Sequence, residues 1–347
     1  IMSNTSAGNV GGAREHGDLS VLVTGGAGYI GSVAVEMLAN AGYRVVVFDN
    51  LIKGHKGAVD PRATFVEGDI ADLALLERTL KEQQVDAVMH FAAHSLVGES
   101  MENAVKYFTN NVTASVTLVE AMIRAGTKML VFSSSAATYG MPRSSPIQET
   151  DATAPINPYG ESKLLFEKML RWFDEVHGVR FVSLRYFNAA GASEKFGEEH
   201  DPETHIIPIV LQVALGQRPH VQIFGGDYET PDGTAVRDYI HVIDLAQAHI
   251  LALEWLAKGG ESQVFNLGNG SGFSVKEVIE TARKVTGHEI PAQIGPRRAG
   301  DPPVLVASSE AIISKLGWKP EYAGLEEIIG TAWKWHQSHP LGYKQDE

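Results

Sequence analysis

The fold turns on Leu19-Ser20-Val21-Leu22-Val23-Thr24 followed by Gly25-Gly26-Ala27-Gly28-Tyr29-Ile30-Gly31. The first six residues form a short valine-rich run bounded by glycine, which suits a strand buried on both faces of a parallel sheet. The next seven carry the spacing Gly-x-x-Gly-x-x-Gly, with Gly25, Gly28 and Gly31 at the fixed positions. Glycines there let the chain turn sharply and let its backbone approach a pyrophosphate closely. An amphipathic stretch at 32–40 predicts a helix whose amino terminus faces the phosphate charge. Gly42 closes that helix, and 43–48 reads as a second strand. Strand, glycine turn, helix and strand in this order predict a dinucleotide site.

Alternation continues outward from this unit. Strands are predicted at 64–67, 85–91 and 128–133, with helices at 71–83 and 103–124. This βαβα order predicts a doubly wound parallel α/β sheet of the Rossmann kind, with ligands beyond the carboxyl ends of its strands. Asp49 ends the second strand, where a carboxylate accepts hydrogen bonds from ribose hydroxyls and repels a 2′-phosphate. NAD is therefore favoured over NADP, although Lys53 and Lys56 lie just downstream. Asp69 has two readings, contact with the adenine amino group or capping of the next helix.

Composition narrows the functional classes. The chain has 347 residues, 44% hydrophobic and 20% charged, enough for two domains. Its formal net charge of −13 disfavours nucleic acid and anionic membrane as partners. It has no cysteine, so disulfides, thiolate metal sites and cysteine nucleophiles are excluded, in keeping with a cytoplasmic setting. No apolar run is long enough to span a bilayer. Residues 1–18, rich in Gly, Ser, Asn and Ala, read as a disordered extension, and 342–347 as a polar tail.

A second stretch carries chemistry. Asn157-Pro158-Tyr159-Gly160-Glu161-Ser162-Lys163 places a phenol and an ammonium four positions apart, on one face of a helix. A lysine held there lowers the phenol's pKa and makes it a usable base near neutral pH. Taken alone, the pair reads as an ordinary surface pair, and the rest of the chain is what raises it. Among the 13 histidines no His-Glu-x-x-His or similar metal spacing occurs, so no metal is expected. His200 and His205 flank an acidic loop and read as pocket or surface residues.

The glycine turn, Phe91-Ala92-Ala93-His94, Val131-Phe132-Ser133-Ser134-Ser135 and Tyr159-x-x-x-Lys163 occur together here. So do Leu184-Arg185-Tyr186-Phe187-Asn188, Thr234-Ala235-Val236-Arg237-Asp238-Tyr239 and Pro296-Arg297-Arg298-Ala299-Gly300-Asp301. In this combination, over about 19–343, the chain resembles the extended short-chain dehydrogenase/reductase family. Within it, the resemblance is to the Gram-positive bacterial branch that interconverts UDP-glucose and UDP-galactose through transient oxidation at carbon 4.

The resemblance implies Tyr159 as base, Ser135 as its hydrogen-bonding partner, and Lys163 holding the nicotinamide ribose. It implies a tightly bound NAD touching Gly28-Tyr29-Ile30, Asp49-Asn50, Asp69-Ile70, Phe91-Ala92-Ala93, Asn110, Tyr159, Lys163 and Tyr186-Phe187. Ser95 stands where many relatives have a lysine on the cofactor diphosphate. On the UDP-hexose side it implies Asn188, a uridine pocket from His205-Ile206 and Gln222-Ile223-Phe224, Arg237 and Arg298 on the diphosphate, and Asp301 on the uridine ribose. A homodimer through the helices around 103–125 and 159–176 is implied as well.

Two alternatives bear on the reaction. A 4,6-dehydratase needs an acid–base pair directly after the small hydroxyl residue, and Ala136-Ala137 follow Ser135 here. Leu305 stands where strict UDP-glucose enzymes carry a bulky tyrosine, which predicts some activity on UDP-N-acetyl sugars. The expected division is a dinucleotide domain at 19–188 plus about 236–258, and a smaller α/β substrate domain at about 189–235 plus 259–343. The later segments predict helices at 206–216 and 275–285, the second capped by Ser274, a strand at 221–224, and Asp244 as a helix cap.

Overall fold

The valine-rich run folds as β1 (Ser20–Thr24), buried along its whole length. The glycine turn passes directly into α1 (Tyr29–Asn40). The helix begins earlier than expected because Gly28, in extended conformation at its amino cap, leaves Tyr29 already helical. The structure, a computed structural model, describes residues 19–298 and 301–345. The extension expected at 1–18 lies outside the described residues.

Then follow β2 (Arg44–Asp49), β3 (Thr64–Glu67), α2 (Leu73–Glu82) and β4 (Ala87–His90). The helix expected at 103–124 is broken: α3 (Val97–Glu102) and α4 (Ala104–Phe108) lead into a π-helical turn, Thr109–Ala114, and then α5 (Ser115–Ala125). Such wide turns interrupt a helix where a side chain is needed elsewhere. Here Asn111 leaves the ladder to accept from His94 N (2.9 Å) and to donate to His94 O (2.9 Å) and Ser162 Oγ (3.1 Å). Then come β5 (Met129–Ser133), α6 (Pro158–His177) and β6 (Arg180–Tyr186).

The second half runs β7 (Asn188–Ala190), α7 (Ile206–Ala214), β8 (Val221–Phe224), β9 (Val236–Arg237), β10 (Tyr239–His241), α8 (Val242–Ala257) and β11 (Gln263–Leu267). It closes with β12 (Phe273–Ser274), α9 (Val275–Thr286), β13 (Ala292–Gly295), β14 (Val304–Leu305), α10 (Glu310–Leu316) and α11 (Leu325–Ser338).

Seven strands form one parallel sheet in the order β11-β6-β5-β4-β1-β2-β3. The order reverses between β1 and β4, so the crevice beyond their carboxyl ends is the ligand position such sheets provide. Both faces are covered. Val21, Val23, Val45 and Val47 pack on one side with Val35, Leu38 and Leu245 of α1 and α8. Leu22, Val46, Phe48 and Val88 pack on the other with Leu118, Met122, Phe166 and Leu170 of α5 and α6. The strand period of two explains why neighbours in one strand serve opposite cores. A further core joins α7, α9 and α11 around β8.

Four expectations are corrected. The strand at 263–267 pairs with β6, so the main sheet extends past the boundary expected near residue 258. Asp244 does not cap α8; His241 does, accepting from Ile243 N, while the Asp244 carboxylate accepts from Glu321 N (2.8 Å) and Tyr322 N (2.9 Å). Asp72, not Asp69, caps α2. Within the expected polar tail, Tyr343 is buried, and its hydroxyl accepts from Gly197 N at 3.0 Å. Its aromatic body finds apolar cover that the polar residues around it in sequence do not announce.

Candidate active site

The glycine turn is built by close approach. Gly25 has φ +71°, and a Cβ there would lie 2.6 Å from Ala92 N. At Gly31 a Cβ would lie 2.1 Å from Gly25 O. Either side chain would force β1, α1 and the loop after β4 apart. The amino terminus of α1 has no side-chain cap and no acidic residue in its first turn. Backbone N–H groups there are therefore available to an anion. At the end of β2, the buried Asp49 accepts from Ala27 N (3.0 Å) and Leu51 N (2.9 Å), which leaves further lone pairs on each oxygen. Burial raises its pKa, and the two backbone bonds oppose that rise. Asp69 accepts from Asn50 Nδ2 (2.8 Å) and Ala71 N (2.8 Å), beside buried Ile70. Phe91 N and Ala92 N both donate to Thr24 O, which sets the Phe91-Ala92-Ala93 loop against the turn. Asn110 Nδ2 donates to Asn111 Oδ1 in the π-helical turn. These residues fit a dinucleotide: a glycine cradle, an uncapped helix end and a fixed carboxylate at the next strand end.

Tyr159 reaches this crevice through α6. Asn157 caps the helix by accepting from Gly160 N, with Pro158 in its first turn. A Cβ on Gly160 would lie 2.6 Å from Ala137 O, so only glycine lets the helix start dock on the turn after β5. That docking brings the Tyr159 phenol into a hydrogen bond with Ser135. The Ser135 hydroxyl is itself oriented by accepting from Ala137 N at 3.1 Å. Lys163 is buried, donates to Ser133 O at 2.9 Å, and sits 5.9 Å from the Tyr159 ring centroid.

The electrostatics correct one expectation. Burial raises the phenol's pKa, and the Ser135 hydrogen bond is what lowers it. Lys163 is itself pushed down to about 7 by burial, with the Glu167 carboxylate opposing. Its ammonium donates to a carbonyl, and burial disfavours its protonated form, while the group that lowers the phenol's pKa is Ser135.

Behind these groups lies a buried network that the sequence reading missed. Glu167 accepts from Ser134 Oγ (2.5 Å) and from Arg185 Nε (3.0 Å), and it pairs with the other end of the same guanidinium. Arg185 also donates to the Tyr139 hydroxyl (2.9 Å), which donates to Asn266 Oδ1 (2.7 Å). The available signal was Glu167 four positions after Lys163, one turn along the same face. Tyr186 is buried with its hydroxyl bonded to Ser133 Oγ, and Phe187 packs near Leu305.

On the other side of the crevice the side chains are held by one another. Arg237 is paired with Asp301 at 2.5 Å, and Arg298 is exposed, its guanidinium 3.9 Å from the Phe224 ring centroid. Asn188 donates to Asp238 O (3.0 Å) and Gln222 to Gln293 O (3.1 Å), while Ile223 is buried. Leu305 pairs in register with Arg237 and packs with Ala136, Tyr139 and Ile147, beside the turn that carries Ser135. His205 precedes Ile206 at the start of α7, but its ring turns to Glu198 and Glu203. A further unforeseen pair is Arg297, bonded to Asp227 and lying over Tyr228 at 4.3 Å.

Comparison with known proteins accords with this geometry. The NAD dependent epimerase/dehydratase family matches residues 21–268. The chain is 56% identical over 327 residues to the UDP-glucose 4-epimerase of Lacticaseibacillus casei, covering 94% of this chain and 99% of that one. It is 57% identical over 330 residues to that of Halalkalibacterium halodurans, covering 94% and 98%. The crystal structure of the Brucella ovis UDP-glucose 4-epimerase in complex with NAD superposes with a TM-score of 0.89 at 48% identity, covering 91% and 98%. The chain belongs to the NAD dependent epimerase/dehydratase family, in its UDP-glucose 4-epimerase branch.

Proposed function

We propose that this chain interconverts UDP-glucose and UDP-galactose by inverting sugar carbon 4, with tightly held NAD. The observation that carries this is the Tyr159 phenol, hydrogen-bonded to Ser135 and one helical turn from Lys163, opening on the glycine crevice. Bound in that crevice, NAD would supply the acceptor and donor for the carbon 4 hydride. Gly25, Gly28 and Gly31, with the backbone of Tyr29 and Ile30, hold its diphosphate. Asp49, Asn50, Asp69 and Ile70 hold its adenosine, and Phe91, Ala92, Ala93, Asn110, Tyr186 and Phe187 line its remaining length. Lys163 holds the nicotinamide ribose.

Tyr159 takes the proton from the 4-hydroxyl and gives it back. Ser135 stabilises the phenolate by donating to it. Arg237 and Arg298 hold the substrate diphosphate, each through a planar fork of donors. Asp301 leaves Arg237 for the uridine ribose. Asn188, His205, Ile206, Gln222, Ile223 and Phe224 enclose the nucleotide, mainly through backbone. The sugar lies between Ser135 and Leu305 and turns over while the nucleotide stays anchored. Ala136 and Ala137 offer no acid–base pair, so elimination of water is not provided for.

The smaller α/β lobe, 189–235 with the segment beyond the last strand of the main sheet, is the substrate side. A homodimer fits the apolar surface of Val97, Met101, Val105, Trp172 and Val176, all exposed on α3, α4 and α6. Light scattering showing a monomer would remove that part. Among the described residues no helix is long and apolar enough to cross a membrane.

The test is direct. The purified chain, with no NAD added, should interconvert the two sugars and release about one NAD per chain on denaturation. Protein that is free of NAD yet active without it would overturn the proposal. A second reading rests on Leu305: the same site also accepts UDP-N-acetylglucosamine.

A further inference from the structure

We infer that Glu198, His200, Glu203 and His205 form a zinc site that fastens the segment between β7 and α7 over the dinucleotide crevice. The four side chains sit in one short run with spacing Glu-x-His-x-x-Glu-x-His. Folding brings one ligand atom from each within 4.8 Å of all the others. His205 Nδ1 lies 3.0 Å from Glu198 Oε1 and 2.9 Å from Glu203 Oε1. His200 Nδ1 lies 3.1 Å from Glu198 Oε1 and 3.5 Å from Glu203 Oε2. A tetrahedral zinc with bonds of about 2.0–2.1 Å separates its ligand atoms by roughly 3.3–3.4 Å. The observed spacings bracket that value.

The competing arrangement is a bare ion-pair cluster with both rings protonated. Two observations weigh against it. First, both glutamates are buried, at 5% and 8% exposure, so their charges must be neutralised from within the cluster, which a zinc ion does at one centre. Second, His200 Nδ1 is buried and makes no hydrogen bond, although Glu198 Oε1 is only 3.1 Å away. The ring nitrogen thus lies within 3.5 Å of both carboxylates without a well-directed hydrogen bond to either. Glu203 Oε1 bonds to Thr204 N (2.8 Å), His205 N (2.7 Å) and the His205 ring Nδ1 (2.9 Å), while its Oε2 faces His200 at 3.5 Å. Two imidazoles with two carboxylates suit zinc, whereas calcium and magnesium require a fuller set of oxygen ligands.

The site's position gives it a consequence. Tyr29, in the glycine turn, donates to Gly191 O at 2.6 Å and meets the His200 ring edge-on at 6.2 Å. Lys53, just after β2, donates to Asp201 O at 2.6 Å. A metal cross-linking 198–205 would therefore hold this segment against the NAD side of the crevice. This consequence rests on the proposed NAD reading, but the metal site itself does not.

The experiment uses the full chain without a polyhistidine tag, dialysed against a chelator and then against zinc or cobalt(II) alone. About one zinc per chain is expected by elemental analysis, and cobalt(II) should give visible bands of tetrahedral intensity that zinc abolishes. His200→Gln and Glu198→Gln should each weaken zinc binding on the order of 100-fold. Chelation should also speed NAD loss from the intact protein. Zinc uptake equal to that of folded His200→Gln protein, or a cobalt spectrum without tetrahedral bands, would overturn the site. If the variants do not fold, the cobalt spectrum of the unaltered chain decides alone. A tetrahedral cobalt spectrum with unchanged NAD retention would leave the site standing and overturn its role as a clamp.

Discussion

The two halves of the crevice are made of different materials. On the dinucleotide side, contact is prepared by backbone: glycines at van der Waals limit, an uncapped helix end, and a buried Asp49 held by two N–H groups. On the proposed UDP side, the groups are side chains held by other side chains: part-buried Arg237 pairs with Asp301, and exposed Arg298 lies over the Phe224 ring. The first half is complete without ligand. If the second half binds the UDP-sugar as proposed, it must exchange partners, so some of the binding energy goes into breaking the Arg237–Asp301 ion pair. A cofactor retained through turnover suits the first construction, and a substrate that must leave suits the second.

Tyr159 stands where the halves meet, and changing it gives the largest expected effect. Tyr159→Phe removes one oxygen and leaves the docking of α6 through Gly160 intact. Turnover should fall about 10³-fold or more, while UDP-sugar affinity by calorimetry changes less than about threefold. A comparable loss in affinity would show that the phenol serves binding, and the division at Tyr159 would fail. Gly31→Ala tests the prepared half next. Its Cβ would lie 2.1 Å from Gly25 O, a backbone atom, so α1 must move. NAD content on purification should drop roughly tenfold or more, with thermal stability also reduced. Retention of full NAD would mean that the turn is not the fixed cradle described.

The same contrast explains what the sequence disclosed. The glycine turn is legible because its requirement is local: a φ of +71° at Gly25 and close approach at Gly31 permit one residue type. The parallel sheet is legible because valine-rich strands alternate with helices at regular spacing. Tyr159 with Lys163 shows as helical periodicity. By contrast, Arg185 with Glu167 depends on how α6 lies against β6, and Arg237 with Asp301 joins β9 to the loop before β14, 64 residues on. Tertiary pairs of common charged residues leave no local signature. The π-helical turn at Thr109–Ala114 was invisible for a related reason: it answers to His94 and Ser162, which lie on other elements. The lowered pKa of Lys163 is hidden for the same reason, because its burial is not a property of the Tyr-x-x-x-Lys spacing.

Two intermediate effects sharpen the comparison. The Ser135 hydrogen bond lowers a Tyr159 pKa that burial raises. Only the ionised phenol is a base, so removing that bond should shift the rising limb of the pH–rate profile upward. For Ser135→Ala, a bond to a charged group is worth about 1.5–3 kcal/mol, which corresponds to roughly 1–2 pH units. An unmoved limb would mean that Ser135 does not tune the phenol. Arg237→Leu acts on the UDP half alone. It would remove the proposed diphosphate contact and also take from Asp301 its guanidinium partner. KM for UDP-glucose should rise about tenfold, with NAD content unchanged. Loss of NAD in this variant would show that the halves are not independent.

The smallest effect concerns sugar choice. Leu305 packs with Ala136 and Tyr139 on the turn that positions Ser135, and it pairs in register with Arg237. It thus touches both halves without supplying charge to either. Its side chain is shorter than a tyrosine and ends without a hydroxyl, so it leaves space that an N-acetyl group can use. Leu305→Tyr should reduce epimerisation of UDP-N-acetylglucosamine several-fold while leaving UDP-glucose within about twofold, since a change of pocket volume is worth about 1–3 kcal/mol. Both sugars should show unchanged NAD content, because the substitution lies outside the glycine cradle. If UDP-N-acetylglucosamine is untouched by the unaltered chain, Leu305 is not the residue that admits it. If both sugars fall equally in Leu305→Tyr, the side chain supports the Ser135 turn, and its effect belongs with the chemistry of Tyr159.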